Sequence, residues 1–194
     1  MKQTRSDTKA APSLDLHFVD AWQQRDARLA GDARLLWERA NLLTPEAREQ
    51  RVNELVALAY LDGKVAGVAT AVIANLPQLR GRFAFYRCAA YPPRHRGERQ
   101  RHERPAERHA VWAPQHTVSY ALSGYARGVL ERWSLAHPEE KVLGLAAVIE
   151  SPGYRRKQRE PLWPDYGLHL NLVGYTPDGR QIRVAWFEHA RLDP

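Results

Sequence analysis

The sequence predicts one α/β domain built on a mixed, mostly antiparallel central sheet flanked by helices. Three observations carry that prediction. Two apolar runs, "LVALAY" and "VAGVATAVIA", meet near Asp62-Gly63, the dipeptide that suits a type I′ hairpin turn. "KVLGLAAVIES" is almost wholly apolar, as a strand covered on both faces has to be. "LHLNLVGYTPDGRQIRVAWFEH" folds back on itself at Asp178-Gly179 as a second hairpin.

The remaining elements follow in chain order. Residues 1–13 are polar, basic and without periodicity, and read as a flexible tail before a domain spanning 14–194. From Asp15 the spacing of Phe18, Trp22 and Leu29 predicts a helix. A second apolar group, Leu35, Leu36, Leu42 and Leu43, follows a break at Gly31-Asp32. Thr44 is placed to cap the next helix, with Pro45 at its first position and Glu46 at its positive end. After the first hairpin, "RFAFYRCAAYP" predicts a third strand closed by Pro92-Pro93. A basic insertion at about 94–116 reads as loop, because Pro105 and Pro114 interrupt any helix there. Val118, Leu122, Tyr125, Val129 and Trp133 then share one face of a helix that leads to the central strand.

Composition narrows the class. The chain has 194 residues, 44% hydrophobic and 26% charged, with a net charge of +7 carried almost entirely by arginine. That charge favours anionic partners without naming one, and a GC-rich genome that encodes Arg for Lys explains it equally well. One cysteine, Cys88, excludes an internal disulfide and any multi-cysteine metal site. The basic start of the chain lacks the apolar core of a secretory signal, and "VAGVATAVIA" is too short to span a bilayer. A cytoplasmic protein without membrane contact is the expectation.

The element order resembles the GCN5-related N-acetyltransferase (GNAT) fold over roughly Leu14 to Arg191. "LAYLDGKVAGVATA" looks like the family's second and third strands, and "FYRCAAYPPRHRG" like its fourth strand entering the acyl-CoA pyrophosphate loop. "YGLHLNLVGYTPDGRQIRVAWF" is similar to its closing hairpin. The family's loop pattern is Gln or Arg, two residues, Gly, one residue, then Gly or Ala. Arg94 and Gly97 match it, while Arg99 stands where a small residue belongs. The resemblance implies an acyl-CoA-dependent N-acyltransferase acting on an amine, with acetyl-CoA or another acyl-CoA as co-substrate and a homodimer as an allowed assembly. It assigns the cofactor to Ala89 and Tyr91 at the end of the fourth strand and to Arg94, Arg96, Gly97 and Arg99 beyond it. Glycines there let backbone N–H groups approach phosphate, and Arg99 either blocks that approach or adds a guanidinium contact.

Acylation of an amine needs a base for the amine proton and an acid for the departing thiolate. The resemblance implies a Tyr acid after the fifth strand, for which Tyr154 and Tyr166 are candidates, and Tyr166 fits better because it precedes Gly167 and the closing strands. Its other reading is an aromatic packed at a strand entry. Glu150 reads as the base, as a group that positions a water, or as the start of a turn with Ser151 and Pro152. Trp112, Trp163 and Tyr91 line an acyl or acceptor pocket, stack on nucleobases, or pack beneath loops. His95, His102 and His109 recur every seven residues, but the intervening Arg and Pro argue against a shared metal. Cys88 reads as a small core residue. The alternative to an enzyme is a non-catalytic GNAT-like module that binds nucleic acid or a protein through its arginine-rich loop.

Overall fold

The computed structural model describes residues 15–91, 108–150, 161–163 and 168–191, with backbone alone at 108–116 and 163. Eight strands form one sheet in the order β1-β2-β3-β4-β5-β8-β7-β6. They are β1 (Leu16–Asp20), β2 (Leu55–Leu61), β3 (Lys64–Leu76), β4 (Gly81–Ala90), β5 (Val142–Val148), β6 (Leu162–Trp163), β7 (Leu170–Tyr175) and β8 (Gln181–Trp186). The helices are α1 (Ala27–Arg39), α2 (Pro45–Arg51) and α3 (Arg108–Ala136). Every neighbouring strand pair is antiparallel except β4 and β5, which run parallel because α3 carries the chain from the end of one back to the start of the other.

Local chemistry places most of these elements where the sequence predicts. Asp62 and Gly63 take φ of 51° and 72°, the left-handed conformation that a type I′ turn demands of both central residues. Thr44 Oγ1 accepts the Ala47 N–H at 3.3 Å, and Pro45 opens α2. The second hairpin turns through Asp178 and Gly179 between β7 and β8.

The amino-terminal region differs. The segment expected to be helical from Asp15 starts as strand β1, which pairs with β2 in the register Phe18↔Ala59. Leu16 and Phe18 face α3, where the Phe18 ring stacks 5.1 Å from Tyr125, while Val19 packs on the opposite side with α1. The helix begins at the cap Asp26, whose Oδ1 accepts from the Arg28 and Leu29 N–H groups. It then runs through Gly31-Asp32 without a break, since Gly31 lies on the exposed side. A second difference concerns Pro114, which lies inside α3 rather than in a loop. One interior proline costs about 3 kcal/mol. The buried stripe Val118, Leu122, Ala126, Val129 and Leu130 anchors the same 29-residue helix to the sheet and outweighs that cost.

The sheet is covered on both sides. On one face α3 packs over β1 to β5, so closely at Gly67 that a Cβ there would meet Leu122 Cδ2 at 2.9 Å. On the other, α1 buries Leu29, Ala33, Leu36 and Trp37 against Leu58, Tyr60 and Val68. Beside α1 on that face, Phe83, Ala146, Ile182 and Val184 form a third cluster. Trp22 and Trp133 meet edge-to-face at 5.5 Å on the α3 side.

Candidate functional site

The feature that opens a site is where β4 and β5 stop pairing. Their register runs Arg82↔Val142, Ala84↔Leu145, Phe85↔Ala146 and ends there, although β4 continues to Ala90 and β5 to Val148. Between the first two pairs β4 advances two residues and β5 three, so β5 carries a bulge around Gly144. Beyond Ala146, β5 stays with β8 through Ala147↔Arg183 and Val148↔Ile182, and the Ile149 N–H continues that ladder onto the Gln181 carbonyl at 2.9 Å. Meanwhile β4 stays with β3 to the pair Gly67↔Ala90. Each strand follows its outer neighbour, and a gap opens between them.

Backbone groups line that gap. The Tyr91 N–H donates to the Ala66 carbonyl at 2.8 Å, which fixes the phase of the β3–β4 ladder. Antiparallel residues alternate between those bonded to the partner strand and those turned away. Ala89 and Arg87 therefore bond toward β3, and Cys88 and Ala90 turn their N–H and C=O toward the gap, beyond the last β5 partner.

The side chains sort by the same alternation. Tyr86 and Cys88 point to α3, where Tyr86 Oη lies 2.8 Å from Ser123 Oγ, and Ser123 in turn donates to the Ser119 carbonyl at 2.6 Å. Desolvation pushes the Cys88 thiol up to about 11, against weaker opposing hydrogen bonds from Tyr86 and Ser123. A thiol held neutral in this way is no nucleophile. Phe83, Phe85 and Arg87 face the other side, and across the gap Ala146, Val148 and Glu150 continue with the same period.

That second face carries charge at the mouth. Glu54 Oε2 receives both Arg51 Nε and Arg87 Nη1 at 3.3 Å. Glu150 Oε1 pairs with Arg180 Nη1 at 2.9 Å, and Arg180 Nε reaches Asp178 at 2.7 Å. Desolvation lowers the Arg51 pKa, Arg87 lowers it further, and Glu54 and Glu150 oppose the shift. Arg39, from the last turn of α1, donates from Nη2 to the Tyr91 and Val65 carbonyls at 2.5 and 2.7 Å.

Of the residues singled out by sequence, Ala89, Tyr91 and Glu150 thus stand at the gap. Ala89 lies on the β4 wall with its backbone turned to β3, Tyr91 is held at the strand end, and Glu150 is exposed just past β5. Arg94, Arg96, Gly97, Arg99, Tyr154 and Tyr166 lie outside the described residues. Arg39, Arg51, Glu54 and Arg87 were not anticipated. Arg87 alone carried a signal, a charge on the strand face that otherwise holds Phe83 and Phe85.

A parallel β4/β5 pair in the middle of an otherwise antiparallel sheet, parting at its open end with α3 between the two strands in sequence, is the arrangement that the resemblance to the GNAT fold implies. Solved structures similar to this chain include a GNAT-family acetyltransferase from Streptococcus pneumoniae, at 12% identity over 89% of this chain and 99% of that one, TM-score 0.43. The ribosomal-protein-S18-alanine N-acetyltransferase of Escherichia coli matches at 12% identity over 92% and 98%, TM-score 0.42. The N-acetylglutamate synthase of Neisseria gonorrhoeae, in complex with coenzyme A and N-acetyl-glutamate, matches at 13% identity over 92% of this chain, TM-score 0.40, and this chain spans 37% of its length. Likeness at this level carries no activity from those proteins to this one. No protein-family model and no curated protein sequence matches the chain.

Elsewhere, an open groove of about 430 Å³ at the β1–β2 edge is lined by Asp15, His17, Arg28 and Tyr60. Tyr60 Oη donates to Asp32 at 2.7 Å, and desolvation together with that carboxylate raises its pKa. Among the described residues no three His, Cys, Asp or Glu side chains are grouped to hold a metal, and no helix is long and apolar enough to cross a membrane.

Proposed function

We propose that the chain is an acyl-CoA-dependent N-acyltransferase that uses the gap between β4 and β5. The observation that carries this reading is the pairing that ends at Phe85↔Ala146 while two β4 N–H groups, those of Cys88 and Ala90, face the opening. An extended pantetheine arm can complete such a ladder as a strand would, with its amides bonding to β4. One backbone N–H is then left to polarise the thioester carbonyl, and a fixed donor of this kind stabilises the oxyanion as charge develops.

The chemistry balances as follows. The amine nitrogen attacks the thioester carbon, the tetrahedral intermediate collapses with loss of the C–S bond, and the products are an amide and the CoA thiol. The amine proton goes to a base, for which Glu150 is the described candidate at the β5 end of the gap. The thiolate takes its proton from an acid, and Tyr166 and Tyr154 remain the candidates. Arg94, Arg96, Gly97 and Arg99, between β4 and α3, are proposed to hold the pyrophosphate.

Two measurements test the reading. Isothermal titration with acetyl-CoA and longer acyl-CoAs is expected to give saturable heat. Amide resonances of Cys88 and Ala90 are expected to shift more than those of Arg87 and Ala89, which bond to β3. Folded protein that gives no heat with any acyl-CoA would rule the reading out.

A further inference from the structure

Five charged side chains at the mouth of the gap remain without a role in the fold. Arg51 ends α2, Glu54 lies in the turn before β2, Arg87 is on β4, Glu150 follows β5, and Arg180 comes from the β7–β8 turn. They come from four stretches of chain and form two ion-paired groups on the sheet face opposite α3. Their side chains retain 23% to 72% of their exposure. Ion pairs so exposed give little stability, typically under about 1 kcal/mol. Fold stability therefore does not account for their convergence.

The arrangement is lopsided in a useful way. On the β4 wall two guanidiniums share a single carboxylate oxygen, each at 3.3 Å, longer than the roughly 2.7–2.9 Å of a well-formed charged hydrogen bond. Two cations on one anion leave a net positive charge there, and among the described residues Glu54 is the only side chain given to Arg87. On the β5 wall the order is reversed. Glu150 and Asp178 share one guanidinium, that of Arg180, at 2.9 and 2.7 Å, which leaves a net negative charge there. Arg51 feels both walls, since Arg87 and Glu150 act on it with opposite sign. A ligand spanning this mouth meets a cationic pair on one side and a carboxylate on the other.

We propose that the acceptor bound here is an amine that also carries an anionic group. Its carboxylate or equivalent anion docks on Arg51 and Arg87, and its amine lies toward Glu150. This rests on the transferase reading of the gap and adds the substrate class. The planar guanidiniums can bind a carboxylate by two parallel N–H···O bonds, which displaces the long contacts to Glu54 with shorter ones. The amine at Glu150 is then on the side of the gap where a base is required.

The test separates the inference from the reading it extends. Glycine, β-alanine, 4-aminobutanoate and the common L-amino acids are each titrated with their carboxamide, by ligand-observed NMR, with and without CoA present. At least one zwitterion is expected to bind about tenfold or more tightly than its amide. Arg87→Ala and Arg51→Ala are each expected to erase that preference, while Arg87→Lys restores part of it. Unchanged melting temperatures exclude misfolding, and the exposure of both side chains makes that the expected result. If acyl-CoA does not bind but an Arg87-dependent preference persists, the transferase reading falls and the charge-paired site stands. If acids and amides bind alike, or none bind, in protein that takes up acetyl-CoA, the inference is overturned and the transferase reading stands. Loss of the preference only with Arg180→Ala, and not with Arg87→Ala, also overturns it.

Discussion

Arg39 fastens the end of α1 to the end of β4 through the Tyr91 carbonyl. Its Nη2 donates to that oxygen and to the Val65 carbonyl, and its guanidinium carbon lies 5.4 Å from the centre of the Tyr91 ring. Tyr91 is the last described residue before the segment in which the phosphate contacts are proposed, and this clamp fixes its carbonyl at the end of β4. Hydrogen bonds to a charged donor are worth about 1.5–3 kcal/mol each. Arg39→Ala is expected to lower stability by about 2–3 kcal/mol, read as a fall of roughly 4–12 °C in Tm. Arg39→Lys is expected to recover less than half, because an ammonium lacks the fork and the flat face. An unshifted melting curve for Arg39→Ala would refute the clamp.

Gly144 is fixed by backbone rather than by side-chain packing. A Cβ there would press into the carbonyl oxygen of Ala185 on β8, which cannot move without breaking the β5–β8 ladder. Gly67 is crowded too, but by the flexible ends of Leu122 and Val118. Gly144→Ala is expected to destabilise by about 3 kcal/mol or more, and Gly67→Ala by about 1–2 kcal/mol, in urea titrations. The reverse ranking would show that the β5 bulge tolerates a side chain.

What was legible in the sequence is what neighbouring residues decide among themselves. Asp62-Gly63 and Thr44-Pro45 encode a turn and a cap within a few positions, and both lie where expected. Strand β1 was not legible, because five residues at a sheet edge alternate too briefly to outweigh the helical spacing of Phe18, Trp22 and Leu29; its conformation is decided by β2, some 40 residues away. Pro114 misled for a related reason, since the local cost of a proline says nothing of the stripe that α3 buries further on. The gap itself depends on where a register ends, and that is set by the bulge near Gly144 together with the pull of β3 and β8. The charged mouth is gathered from four stretches of chain, and only its Arg87 member stands out from its neighbours.

Arg183 is completely buried on β8, an unusual place for a guanidinium. Its Nε donates to Gln181 at 2.9 Å and its Nη1 to the Leu170 carbonyl at 3.1 Å, with Pro161 further off at 3.4 Å. These bonds tie β8 to β7 and to the approach to β6. Removing the side chain leaves buried acceptors unsatisfied, and the expected loss for Arg183→Ala is about 3–5 kcal/mol by chemical denaturation. Arg183→Met, which keeps the apolar stem, is expected to lose less. Equal stability of all three proteins would mean that the carbonyls find other donors at no cost.

Stability is expected to fall at alkaline pH, and Cys88 gives the sign. Its thiol sits near 9 in the unfolded chain and at about 11 in the fold because ionisation there is opposed by desolvation. Below pH 9 both states keep the proton and the residue contributes nothing to the pH dependence. Between about 9 and 11 the unfolded chain releases the proton while the fold retains it, so stability decreases with rising pH. Two pH units correspond to at most about 2.7 kcal/mol. Tyr60, also raised by desolvation and by Asp32, adds a loss of the same sign above pH 10. Urea titrations at pH 8, 9.5 and 10.5 should show the decline, and Cys88→Ala should flatten its lower half. Iodoacetamide at pH 8 should alkylate Cys88 slowly in the fold and quickly in urea. Rapid labelling of the folded protein, or a Cys88→Ala variant with an unchanged pH slope, would place the thiol in contact with water rather than against α3.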